Sequence, residues 1–421
     1  MVNGFFYAIV ALLVFRYGVC LLADWLNVRS ARPDVPAEFI GYYDQQRYAQ
    51  AQRYLWDRTR WSNIEETVHL TAVLFFFVAG GFPWVDSFCR SFGYGPVPTG
   101  LLFVGILAGL QYTLTLPFEV YSTFGIEQRY GFNKTSVRTF FADMAKGIGL
   151  TVVIGGWMLW AVLWFFERRG AAAWFECWIA VTVIQLLILF FAPVVILPLF
   201  NKFVPLPDSE LRRAIHAYAA SQGFSLQGVF TVDGSRRTTK ANAFFTGFGR
   251  FRRIALYDTL IARHSPEELV SVLAHEIGHY KKHHVLKMIF VSLATTAVMF
   301  YLLGFFLHNP ALHAAFGMPQ VSVYAGLVFF SVLFAPVQSF LGAATNALSR
   351  HHEYEADRFA ASTQGQPQAL IAALKKLSVD NLSNLTPHPF YVLLHGSHPP
   401  VLARIRALAE TVSPRPEAAH T

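Results

Sequence analysis

Residues 275–279 read His-Glu-Ile-Gly-His, two imidazoles and a carboxylate at a spacing that suits hydrolytic metal chemistry. On an α-helix, His275 and His279 project from one face, and both can reach a single ion at about 2.0–2.1 Å. Glu276 sits about 100° further round. From there it can act on a water at the metal without binding the ion, the position of a general base. Hydrolytic zinc sites carry three protein ligands and keep a fourth position open, so one ligand must come from elsewhere. A histidine ten residues after His275 would fall on Val285, which excludes the longer three-histidine pattern. His283 lies about two turns (~12 Å) along a continuing helix, too far to share the ion.

The better source is SRHHEYEADRFA, residues 349–360. Glu353 and Asp357 are four apart and share a helix face, whereas Glu355 points away. Glu353 can complete a set of two histidines and a carboxylate, and Asp357 can accept the second ring N–H of a ligand histidine, fixing its orientation. Alone, Arg350, Glu353, Asp357 and Arg358 would also make an ordinary ion-paired surface; beside the His-Glu-x-x-His stretch, the ligand reading is favoured. His351 and His352 read as surface residues. In GSHPPVLARIRAL, His398 and Arg404 can donate hydrogen bonds to a carbonyl oxygen as it gains charge. Taken alone, a capped surface helix is the better reading of them.

These residues must be held by particular elements. Ser265, Pro266 and Glu268 form a helix-start signature, so the His275 stretch is helical. Before it, DSELRRAIHAYAASQGF has helical periodicity, GVFTVDG and RRIALYDTLI alternate like strands, and TTKANAFFTGFGR between them suits a hairpin closed by Gly247 and Gly249. Residues 201–284 thus read as a small soluble α+β, zincin-like insert. The C-terminal TVSPRPEAAHT reads as a frayed tail.

Around that insert the chain is membrane protein: of 421 residues, 54% are hydrophobic, 16% aromatic and 14% charged. Apolar runs at about 5–23, 68–88, 100–120, 147–166, 174–200, 285–307 and 321–345 are each long enough to cross roughly 30 Å of hydrocarbon. The fold class is therefore an all-α polytopic membrane protein of seven crossings. Its parts are helices one to five (1–200), the insert (201–284), helices six and seven (285–348) and a C-terminal segment (349–421) with the third ligand. Arg16 and the lack of a cleavage site make the first run a span rather than a signal peptide. Cys20, Cys89 and Cys177 have neither metal spacing nor a disulfide framework. The net charge of +8 is spread between spans, which excludes a nucleic-acid face, and no obligate protein partner is inferred. Lys and Arg crowd the segments after spans one and three, so the odd loops face the cytoplasm and the N-terminus lies outside. Insert and C-terminal segment then share the cytoplasmic side.

YSTFGIEQRYGFNKTS, LPLFNKFVPLPDSELR, VDGSRRTTKANAFFTGFGRFRRIALYDTLI, HEIGHYKKHH, EYEAD and HPPVLAR occur in this order. Together they resemble the type I CAAX prenyl proteases, intramembrane zinc metalloproteases, from about residue 40 to 410. The resemblance implies seven long helices around a water-filled chamber, capped by the zinc domain. It makes His275, His279 and Glu353 the ligands of one Zn2+, Glu276 the catalytic base and Asp357 an orienting residue. His398 and Arg404 become contacts to the scissile carbonyl or the substrate backbone, and Asn242 and Ala243 part of a substrate-binding edge strand. At that strand the family's usual Ser-Asn-Ala-Tyr reads Ala241-Asn242-Ala243-Phe244. Implied partners are membrane lipids and peptide or lipidated-protein substrates. Gln111, Glu119 and Glu127 suit a wet interior, or equally a buried hydrogen-bond network.

The nearest rival is the heat-shock-type membrane zinc protease of quality control, which shares the two zinc motifs with fewer spans. A rival of another class is a transporter or receptor with a structural, four-ligand zinc site. The compact length and the absence of a retention signal point to a bacterial inner membrane, or to the endoplasmic reticulum if the source is eukaryotic.

Overall fold

The computed structural model describes residues 3–246, 253–365 and 367–411. Among the described residues, six helices are long and apolar enough to cross a membrane. In chain order the first three are α1 (Gly4–Arg29), α4 (Pro96–Glu127) and α5 (Val137–Arg169). The others are α6 (Trp174–Phe200), α9 (His284–Phe306) and α10 (Val323–Gln364). Where a seventh crossing is expected, at 68–88, stands a bent pair, α2 (Gln45–Val78) and α3 (Gly81–Arg90), which meet at 65° and bring the number of crossings to seven if they form one span. Gly80 between them takes a left-handed φ of 75°, open to glycine and costly for other residues, so the run of apolar side chains continues while the helix axis does not.

In the apolar windows of the six helices, between 0% and 22% of residues are buried. Helices of a tightly packed bundle would each bury a full stripe; here little of the apolar surface is covered within the protein. Arg16, Glu66 and His395 line one common pocket, polar groups that would be costly against lipid. Glu127, by contrast, belongs to a hydrogen-bond network: its carboxylate accepts from Tyr54 Oη and from Lys240 Nζ.

The insert carries a four-stranded sheet of β1 (Phe203–Pro205), β2 (Gly228–Val232), β3 (Ala243–Thr246) and β4 (Arg253–Tyr257), in the order β1-β2-β4-β3. β2 and β4 run parallel, while β3 pairs antiparallel with β4, Ala243 opposite Leu256. The pairing is that of the expected hairpin; its turn, with Gly247 and Gly249, lies outside the described residues, as does nearly all of the expected tail. Val229, Ile254 and Leu256 pack with Leu211 and Ile215 of α7 (Glu210–Ser221) and with Leu269, Leu273 and Ile277 of α8 (Pro266–Lys281). Each such side chain contributes about 1.5–3 kcal/mol by leaving water. That core fixes the buried face of α8 and hence the direction of its histidines.

α8 begins with the expected capping box, the Ser265 hydroxyl accepting from the Glu268 N–H and the Glu268 carboxylate from the Ser265 N–H. It does not run on into the membrane helix. Lys282 ends it, and His283, at φ 56° and ψ 30°, turns the chain before α9 starts at His284. α10 is one unbroken helix of 42 residues whose apolar first half and polar second half, with Glu353 and Asp357, share an axis. Beyond it, α11 (Gln368–Asp380) and α12 (Val401–Glu410) complete the C-terminal segment. Phe39, Tyr43 and Tyr48 form a core with Leu385, Leu402 and Ile405, which ties the segment after α1 to that C-terminal segment.

Candidate metal centre

Two helices supply the site. Where α8 crosses the polar half of α10, His275 Nε2 and His279 Nε2 lie 3.1 Å apart. The Glu353 carboxylate faces both, with Oε2 3.4 Å from His275 Nε2 and Oε1 3.2 Å from His279 Nε2. Ligand atoms around a tetrahedral ion with bonds of 2.0–2.1 Å stand about 3.3 Å from one another, so the spacing is that of three corners of such a site.

The donors also fit a metal chemically. Glu353 is 3% exposed, and its Oε2 is buried without a hydrogen bond of proper direction. His398 Nδ1 at 3.0 Å and Arg404 Nη1 at 3.2 Å are close enough for electrostatic attraction but badly aligned. A buried carboxylate oxygen left unsatisfied beside two converging imidazole nitrogens is the environment a divalent cation completes.

The second ring nitrogens settle which atoms face inward. His275 Nδ1 lies 2.8 Å from Asp357 Oδ1, so its proton belongs there and its Nε2 lone pair points to the centre. Asp357 is itself gripped by Arg404, which donates through Nε at 2.8 Å and Nη2 at 2.7 Å. Burial opposes charge on His275, but hydrogen bonds to Asp357 and Glu353 outweigh it and raise its pKa to about 9 when no metal competes.

Arg404 is buried with its nitrogens directed at Asp357 and Glu353, behind the ligands rather than toward open space. The direct contact to a substrate carbonyl expected of it is not what this geometry offers. His398, with a side chain 64% exposed, stands on the open side. Glu276 is half-buried and shares a small cavity with Ala243 and Phe244 of β3, so edge strand and carboxylate border the same space. The exposed Asn242 turns its side-chain oxygen onto the Ala243 N–H at 2.9 Å.

Two contributors escape the reading of spacing alone. His284 Nδ1 lies 3.0 Å from His279 Nδ1, and its Nε2 lies 2.9 Å from Glu355 Oε2. Glu355 does point away from Glu353, and for that reason it meets the chain beyond the α8 break. His352, expected at the surface, is 3% exposed and stacks on His284, because α9 covers it. Gly278 is the other. A Cβ there would stand 3.1 Å from Ala356 Cα, so a glycine lets the helices approach.

Apolar helices long enough to cross a membrane, carrying a two-histidine, one-carboxylate cluster with an acid beside it, define a membrane-embedded metalloprotease. The comparisons agree. Residues 24–202 match the model of the CAAX prenyl protease N-terminal region with five membrane helices, and residues 205–412 match peptidase family M48. A CAAX prenyl protease 1 homolog from Oryza sativa is 35% identical over 96% of this chain and 97% of its own. The corresponding Homo sapiens protein is 30% identical, with 94% of each chain covered. The crystal structure of S. mikatae Ste24p superposes with a TM-score of 0.92 at 29% identity, covering 97% of this chain and 100% of that one. The chain belongs to the CAAX prenyl protease 1 family of M48 peptidases. These findings favour it over the quality-control protease and over a transporter or receptor.

Proposed function

We propose that the protein holds one zinc ion through His275, His279 and Glu353 and hydrolyses peptide bonds of membrane-associated substrates, among them prenylated CAAX C-termini. The observation that carries this is the meeting of two imidazole nitrogens and an unsatisfied buried carboxylate at 3.1–3.4 Å. When bound, zinc supplies Lewis acidity to water and to a carbonyl.

The protein's own residues do the rest. Glu276 takes a proton from the attacking water and delivers it to the leaving amine, so that hydroxyl ends on the carbonyl carbon and hydrogen on the nitrogen. His398 donates to the carbonyl oxygen as it gains charge. Asp357 keeps the His275 proton on Nδ1, and Arg404 is a positioning residue that locks Asp357. Asn242 and Ala243 present an edge to which an extended peptide can add as a strand. Charge in the loops supports a cytoplasmic site and an outside N-terminus in a bacterial inner or endoplasmic reticulum membrane. The division into helices one to five, insert, helices six and seven and C-terminal segment is retained on the same footing.

Glu276→Gln separates binding from chemistry. Zinc content should stay at one per chain, and cleavage of a quenched prenylated peptide should fall by at least ~100-fold. Substantial turnover by this variant contradicts the assignment.

A further inference from the structure

The left-handed turn at His283, φ 56°, is a conformation that costs free energy for a residue with a side chain. It carries His284 back onto the cluster instead of letting α8 continue into lipid. His284 is 3% exposed, its ring lies parallel to that of His352 at 4.1 Å, and each of its nitrogens has one partner: His279 Nδ1 at 3.0 Å and Glu355 Oε2 at 2.9 Å.

Proton placement follows from these partners. If His279 Nε2 offers its lone pair to the metal, its proton is on Nδ1 and is donated to His284 Nδ1. His284 Nδ1 must then accept, so the His284 proton is on Nε2 and is donated to Glu355. No other neutral arrangement satisfies both contacts. His275 is backed by a carboxylate directly; His279 is backed by one through a histidine.

His284, His352 and Glu355 also bring ligand-type atoms within 4.8 Å of one another, the spacing of a second metal site. The stacking argues against it. Imidazole lone pairs lie in the ring plane, and planes only 10° from parallel send them side by side rather than toward one ion.

We propose that His284 is a positioning residue that fixes the tautomer and orientation of His279 through a His279–His284–Glu355 relay, with His283 supplying the turn that makes it. This rests on the reading of His279 as a zinc ligand.

The test uses the full chain purified in detergent, with three readouts: zinc content, the rate of zinc transfer to a chromogenic chelator, and melting of the metal-stripped protein. His284→Phe keeps the stack on His352 but removes the acceptor, and should release zinc ~10–100-fold faster. His284→Asn places a carbonyl oxygen near the position of Nδ1 and should return release to within ~3-fold of the parent, an effect that mere filling of space cannot produce. Metal-stripped melting should be the same for all three.

The relay is overturned if His284→Phe holds zinc like the parent, or if His284→Asn leaks as fast as His284→Phe. It is also overturned, in favour of a second metal site, if the parent binds two zinc ions and His284→Phe one. Should His284→Phe not fold, Glu355→Ala decides, since that side chain is 25% exposed and tolerant; faster release supports the relay and unchanged release rejects it. A parent that binds no zinc would sink the metal-centre reading itself, and the relay with it.

Discussion

Gly278 sits against Ala356 so closely that an added Cβ would lie 3.1 Å from Ala356 Cα and 3.2 Å from its carbonyl oxygen. The metal cluster depends on this contact, because His275 and His279 flank the glycine on α8 and Glu353 and Asp357 flank the alanine on α10. The obstacle to a Cβ is backbone, which cannot rotate away as a side chain can.

Gly278→Ala should therefore push the helices apart by a few tenths of an ångström and cost about 1–3 kcal/mol of stability. Zinc should also leave faster, since the carboxylate moves away from both imidazoles. Melting and zinc release in detergent read the two effects. A variant as stable and as zinc-retentive as the parent would show that the contact is loose.

Asp357 and Arg404 form a forked, buried pair, with Nε and Nη2 on the two carboxylate oxygens at 2.8 and 2.7 Å. Removing the guanidinium leaves Asp357 and Glu353 buried without their cation, so Arg404→Met should cost about 3–5 kcal/mol. Arg404→Lys should recover only part, because an ammonium cannot reproduce the fork. Asp357→Asn keeps the shape but loses the charge that holds the His275 proton, and should weaken zinc binding ~10–100-fold. Equal zinc affinity in parent and Asp357→Asn would remove Asp357 from its positioning role.

Much of this geometry was legible where local spacing determines direction. The four-residue interval put His275 and His279 on one face of α8, and the same interval put Glu353 and Asp357 together on α10, whatever the rest of the chain did. The capping box marked the start of α8 through three residue types. Less legible was what depends on a single backbone angle. His283 is an ordinary polar residue by composition, yet its left-handed conformation ends a helix that hydropathy alone extends into the membrane. Gly80 similarly breaks an apolar run that passes every length test. His352 looked like surface because nothing local announces that α9 will cover it. Arg404 has donors that suit a substrate carbonyl, and only packing shows that its guanidinium lies against the two carboxylates.

Zinc loading should depend on pH through His275. Without metal, its pKa is raised to about 9, burial opposing charge and the bonds to Asp357 and Glu353 prevailing. A folded-state value above that of the unfolded chain means this proton stabilises the metal-free protein fully below pH ~6.5, and that this contribution is lost as pH rises toward 9. Zinc needs the lone pair that the proton occupies. Affinity should thus climb by about tenfold per pH unit from 7 to 8.5, where an ordinary histidine would already have levelled off. Competition against a chelator of known affinity measures it. A flat profile above pH 7 would show that His275 is neutral before zinc arrives.

The free edge of β3 yields the last expectation. Asn242 O accepts from the Tyr257 N–H, and Ala243 lies opposite Leu256, so by antiparallel alternation the Ala243 N–H points away from β4, toward the open edge. Asn242 Oδ1 accepts from that N–H at 2.9 Å. If substrate adds to this edge, its carbonyl must displace the asparagine oxygen and take the same donor. Ala243→Pro removes the donor at an edge position where proline is tolerated. It should raise KM by about tenfold or more, the loss of one buried hydrogen bond, with zinc content unchanged. Ala243→Ser, which keeps the N–H, should behave like the parent. Equal KM for the proline and serine variants would place the peptide somewhere other than this strand.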